Sequence, residues 1–107
     1  MTRPLVSELL VEEPDFHEVI IAFVEKLPGL IQELQAMHDQ QDWSTMKDRI
    51  HDLKGLGGGY GYPQVSEVAS TIESGLLGQQ HDRIAEQIDQ LRELLGRIQL
   101  GLETQAN

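Results

Sequence analysis

The sequence predicts an all-α fold: an antiparallel up-down four-helix bundle with a short N-terminal lid helix. Three observations carry this expectation. Apolar residues recur with a helical period along almost the whole chain. Four long amphipathic segments are joined by turns of a few residues, and helices connected so tightly pack as antiparallel neighbours. No stretch reads as a strand. The 107 residues suffice for one domain with a core but not for two, so the expected extent is 1–107.

The lid is expected over about 4–13, where "LVSELLVEE" makes a short amphipathic helix. Pro14 and Asp15 interrupt it, and Asp15 with Glu18 has the spacing of a capping box. The first bundle helix follows over about 15–39. Its stripe is Phe16, Val19, Ile20, Phe23, Leu27, Leu30, Ile31, Leu34 and Met37. Pro28 interrupts one hydrogen bond in that helix and predicts a kink near Val24 to Leu27, not a stop, because the stripe keeps its phase. "DQQD" forms a turn, and Asp42 caps a second helix over about 43–60. Gly61 then gives a left-handed end and Pro63 opens the third helix, about 63–77, which Gly78 closes. A cap at His81 or Asp82 starts the last helix, about 82–103. There Ile84, Ile88, Leu91, Leu95, Ile98 and Leu102 form a heptad seam.

Composition narrows the function. The formal net charge is −10 and aromatics are few, which disfavours nucleic acid as a partner. There is no cysteine, hence no disulfide and no thiolate metal site, and no segment has the apolar length of a membrane span. The N-terminus lacks an apolar signal core with a basic leader. A cytoplasmic protein is the expectation. No HExxH or ExxH pair is present, so no metal site is expected. His17, His38 and His81 read as surface residues, and Trp43 as a core residue at one end of the bundle.

The informative stretch is "HDLKGLGGGYGYP", His51 to Pro63, which holds five of the ten glycines. Each glycine inside a helix costs roughly 1 kcal/mol against alanine, so their concentration needs a reason. On a helical wheel with His51 at zero, Met46, Ile50, Leu53, Leu56 and Tyr60 gather between about 140° and 260° and form the buried face. His51 points outward. Gly58, Gly55, Lys47 and Lys54 lie within about 60° of it. The glycines at +4 and +7 therefore clear the surface around an exposed imidazole, and the lysines bring positive charge to it. Gly57 and Gly59 are explained by close helix packing alone. Arg49 falls near the buried arc and is expected to snorkel past the bundle edge. His51 lies eleven residues before Tyr62 and Glu73 eleven after it. In an antiparallel hairpin turning at Tyr62 the two stand at similar height. Glu73 could then accept a hydrogen bond from one imidazole nitrogen and leave the other as nucleophile.

A phosphate-binding nucleotide loop does not fit: Lys54 precedes the glycines rather than following them, and no strand leads in. "HDLKGLGGGYG" instead resembles the signature of histidine-containing phosphotransfer (HPt) domains: His51, Lys54, Gly55, then small residues at Gly58 and Gly61. "DWSTMKDRI" before it, "YPQVSEVASTIE" after it and the internal "LPGL" are similar to the family too, so the resemblance spans nearly all of the chain. It implies a monomeric bundle of bacterial two-component phosphorelays. Such a protein accepts a phosphoryl group on His51 from a receiver phospho-aspartate and passes it to another receiver's aspartate. It further implies that Lys54 stabilises phosphate charge, that Gly55, Gly58 and Lys47 face the docked receiver, and that Mg²⁺ comes with the receiver, with no intrinsic cofactor. Related phosphotransfer domains of chemotaxis-type kinases carry a Glu that bonds the imidazole, and Glu73 matches that position. The alternatives are the phosphoacceptor domain of such a kinase, a histidine-kinase dimerisation segment, or a helical adaptor whose histidine is incidental. The dimerisation segment needs an attached ATP domain for which this chain has no room. The sequence names neither the kinase nor the regulator, and does not say whether the domain is free-standing.

Overall fold

The structure, a computed structural model, describes residues 3–105. Residues 1, 2, 106 and 107 lie outside that range, so the expected 1–107 extent is followed only within it. No strand occurs among the described residues. The helices are α1 (Glu8–Glu12), α2 (His17–Asp39), α3 (Trp43–Gly59), α4 (Pro63–Leu77) and α5 (Ile84–Gln105), with a 3₁₀ turn at Pro14–Phe16. α2 packs on α3 and α5, and α4 packs on α3 and α5, which closes a ring of four. α3 runs opposite to both α2 and α4. Phe23 meets Tyr60, Glu33 meets Arg49 and His38 meets Trp43 as α2 rises and α3 descends. Lys54 meets Ser66 and His51 meets Glu73 across α3 and α4. No helix among the described residues is long and apolar enough to cross a membrane.

The core follows the stripes. Ile20, Phe23, Leu27, Ile31 and Leu34 from α2 meet Met46, Ile50 and Leu53 from α3, Val65, Ala69 and Ile72 from α4, and Ile84, Ile88 and Ile98 from α5. The stripe of α2 is shorter than expected: Phe16, which precedes the helix, and Val19 are exposed, and burial begins at Ile20. The Asp15–Glu18 capping box does not form. Asp15 sits inside the 3₁₀ turn and no side chain caps α2. Pro28 lies within an unbroken α2. α5 starts at Ile84, later than expected, after a turn in which the Ile84 N–H reaches the His81 carbonyl.

Three helix ends share one device, in which the chain turns left-handed just past the helix and two N–H groups bond back to orphan carbonyls. At the end of α3, Gly61 (φ 88°) is the left-handed residue, with Gly61 N to Gly58 O at 3.1 Å and Tyr62 N to Gly57 O at 2.8 Å. Gln41 and Gln79, both at φ 56°, do the same after α2 and α4. Gly78 closes α4 as expected, at its C-cap, and the left-handed residue is the following Gln79. Asp42 caps α3 as expected, accepting the Thr45 N–H at 3.3 Å.

The N-terminal segment does act as a lid, although α1 is only the Glu8–Glu12 portion of the expected helix. Ser7, fully buried, donates to the Tyr60 carbonyl at 2.7 Å and accepts the Leu10 N–H at 3.1 Å. Glu8 N reaches Gly61 O at 2.8 Å, and Leu5 N reaches Arg97 O at 2.9 Å. The lid thus sits on the α3–α4 turn and on α5. At Gly101 a side chain would overlap the Leu5 carbonyl. Gly101→Ala is therefore expected to lift the segment and lower stability by about 1–3 kcal/mol, as overpacking does, read by thermal unfolding and by faster hydrogen exchange at the Leu5 amide.

Tyr62 is fully buried under this lid, and its hydroxyl has no hydrogen-bond partner among the described residues. Burial pushes its pKa up to about 12. The unfolded chain, at the ordinary value near 10, releases this proton first, so stability falls as pH rises between those values. Tyr62→Phe is expected to remove that loss, on the order of 2 kcal/mol at the alkaline end, and to leave the neutral-pH Tm no lower, since it deletes an unsatisfied polar group. Denaturant unfolding at pH 8 and pH 11.5 checks both.

Candidate functional site

The site is built on the face that α3 and α4 share. α3 presents its apolar residues inward over Met46, Ile50 and Leu53, which turns His51 outward. Its side chain is 74% exposed. α4 presents Ile72 to the core and the adjacent Glu73 to the α3 side. The Glu73 side chain is only 15% exposed, although both of its partners are open to solvent. His51 Nδ1 lies 2.9 Å from Glu73 Oε2, and Lys54 Nζ lies 3.1 Å from Glu73 Oε1. One carboxylate thus holds an imidazole with one oxygen and an ammonium with the other.

This geometry has an electrostatic consequence. The hydrogen bond from His51 holds the Glu73 carboxyl below its ordinary range, with that from Lys54 next in weight. Glu73 is therefore an anion over the whole neutral range and an acceptor only. An ionised carboxylate at Nδ1 favours the neutral tautomer protonated there, which leaves the lone pair on Nε2.

The surroundings of the imidazole differ from the expected basic patch. Lys54 is paired with Glu73 and is 44% exposed. The shallow groove at His51 is lined by Lys47, Asp48, Asp52 and Glu73. The rim carries three carboxylates beside one lysine. Asp48 and Asp52 fall on the same wheel at about +60° and +100° from His51.

The glycines divide by role. A Cβ added at Gly55 or Gly59 would meet nothing within 4 Å. Gly55 lies beside His51, so the approach there is open. Gly59 has no close packing to explain it, contrary to expectation. At Gly58 a Cβ would come 3.4 Å from Ser66 Oγ, an ordinary contact. Of the four glycines within α3, Gly57 alone is required for packing, since its Cβ would stand 3.0 Å from Ser66 N, Ser66 Oγ and Val65 Cβ.

Two expectations on α3 fail for one reason. Leu56 was placed in the core but is 44% exposed, and Tyr60 is only half-buried. α4 packs on α3 from the Gly57 side, so the core arc is shifted away from Leu56. Leu56 instead lines a groove between α2 and α3 with Leu27, Leu30 and Arg49. Arg49 does leave the core, with Nε 3.9 Å from Glu33. The other histidines are not plain surface residues. Trp43, half-buried against the core, stacks on His81 at a centroid distance of 4.0 Å and meets His38 edge-on at 5.5 Å. His17 is half-buried. Among the described residues no group of three or more His, Cys, Asp or Glu side chains converges as a metal cage.

The family model of the Hpt domain matches residues 18–101, a span that contains all four bundle helices up to the last turn of α5 and every residue of this site. The chain belongs to the Hpt domain family. No curated protein and no solved structure matches it. Membership makes the chain a histidine phosphotransfer domain of two-component signalling, and Hpt domains interact with receiver domains. Within the matched span of this Hpt domain, His51 is an outward-facing imidazole held by a carboxylate.

The shifted carboxyl offers a direct check. Glu73's contribution to stability is present above the ordinary carboxyl pKa and fades as pH falls through the lowered one. The Glu73 side-chain carboxyl, followed by carbon NMR, should titrate below an ordinary glutamate. Its midpoint should rise in His51→Ala and, by less, in Lys54→Ala.

Proposed function

We propose that this Hpt domain is a phosphorelay intermediary whose phosphoacceptor is His51 Nε2. The Nε2 lone pair attacks phosphorus of a receiver's aspartyl phosphate. A nitrogen–phosphorus bond forms as the bond from phosphorus to the aspartyl oxygen breaks, and the aspartate leaves as a free carboxylate. The imidazole gains positive charge in this step while its proton stays on Nδ1. Glu73, 2.9 Å away and ionised, stabilises that charge and keeps the ring oriented. The reverse sequence delivers the group to a second receiver. No separate base is needed, because a solvated imidazole with one nitrogen unprotonated is already a nucleophile at neutral pH.

Lys54 is read as the group that neutralises phosphoryl charge, which requires its ammonium to share or leave Glu73 once the phosphoryl group is on Nε2. Gly55, Gly58 and Lys47 are read as the surface over which the receiver's loops close. Phosphoryl transfer needs in-line positioning and charge neutralisation above all. The Hpt domain brings the nucleophile, and the Mg²⁺ is expected on the receiver. A monomer suffices, since His51, Lys54 and Glu73 come from one chain. The observation that carries this reading is the His51–Glu73 contact on an otherwise open imidazole.

Incubation with phosphorylated receivers should label the protein with acid-labile, base-stable phosphate, and His51→Gln should abolish the label. Equal labelling of wild type and His51→Gln would end the phosphorelay reading. Glu73→Ala and Lys54→Met should each slow transfer, on the order of 10-fold or more, at unchanged helical circular dichroism.

A further inference from the structure

The three side chains of the site come from two helices, so their contact depends on how α3 and α4 are aligned. Lys54 and His51 sit on one ridge of α3, three residues apart. On α4, Ser66 and Glu73 are seven residues apart, two turns along one face. Ser66 touches α3 twice. Its hydroxyl donates to the Lys54 carbonyl at 2.5 Å, and its backbone and Oγ fill the space left by the missing Cβ of Gly57. The nearest polar link between the helices on this face is therefore made to the backbone of Lys54 itself, two turns from the carboxylate that receives the lysine's ammonium.

We infer that Ser66, seated in the gap at Gly57, is a positioning residue that sets the α3–α4 register and so holds Glu73 on His51 and Lys54. The margins are small. Contacts of 2.9 and 3.1 Å lie within a few tenths of an ångström of the longest good hydrogen bonds, and a slip of one residue is about 1.5 Å. Glu73 reaches its partners through a flexible side chain, so its own bonds do not fix the helix that carries it. The Ser66–Lys54 bond ties side chain to backbone, and Gly57 lets Val65 and Ser66 of α4 come against the backbone of α3. Ser66 touches no reacting atom; it acts through Glu73.

This inference rests on the proposed phosphorelay function only for its activity readout. The test uses the full chain with nitrogen-labelled histidine, and reads the share of the His51 tautomer protonated on Nδ1. Glu73→Gln serves as the reference for a lost carboxylate. Ser66→Ala should lower that share toward the Glu73→Gln value with helicity unchanged, and slow transfer from a phosphorylated receiver on the order of 10-fold, the scale of small misplacements. Gly57→Ala should act in the same direction and more strongly. A Ser66→Ala protein that keeps the wild-type tautomer while Glu73→Gln loses it overturns the inference, as does one that loses its helical fold. If Glu73→Gln leaves the tautomer unchanged, Glu73 does not orient the ring and the inference falls with it. If the tautomer shifts occur but wild type takes no phosphate from any receiver, the phosphorelay reading fails and the register assignment stands.

Discussion

The tight packing of α4 on α3 at Gly57 is the constraint on which the site depends. With Val65 and Ser66 packed where a side chain would stand, the two helices meet backbone to side chain. That proximity lets a glutamate of α4 reach across to a histidine and a lysine of α3. The glycine content of α3 weakens it as an isolated helix. Its end is held by the left-handed Gly61 and by the lid, whose Ser7 and Glu8 bond to Tyr60 and Gly61. The N-terminal segment thus reinforces the turn from which the α3–α4 hairpin springs.

The electrostatics of the site follow from one partly covered carboxylate between two exposed bases. Glu73 is set by the fold, whereas His51 and Lys54 keep most of their freedom in water. This suits the phosphoacceptor role proposed for His51, which asks for order on one nitrogen and access to the other. The acidic rim of Asp48 and Asp52 also bears on the chemistry, because a dianionic phosphoryl group on Nε2 would sit among carboxylates. Such a group is held less firmly than on a basic surface, which accords with a domain that passes it on.

Much of the fold was legible in the sequence because amphipathic period is a property of each helix alone. The bundle helices fall within two residues of their expected bounds, and Asp42, Gly61 and Pro63 mark ends as their chemistry demands. The misreadings share a cause. Phe16, Val19 and Leu56 are apolar at helical spacing, yet whether such a residue is covered depends on where the neighbouring helix lies. The 3₁₀ turn in place of an Asp15 cap shows local propensity yielding to the path of the chain between packed helices.

The sequence by itself determined that His51 faces outward, that glycines bare its surroundings and that Glu73 stands at its height. Those conclusions need only the turn of one helix and the length of one hairpin. The tertiary structure decided that one carboxylate holds both His51 and Lys54, that Gly57 and not Gly59 admits the neighbouring helix, and that Ser66 ties the two together. Spacing along a chain does not specify the rotation and register of two helices against each other. Contacts of about 3 Å exist only once packing has set both.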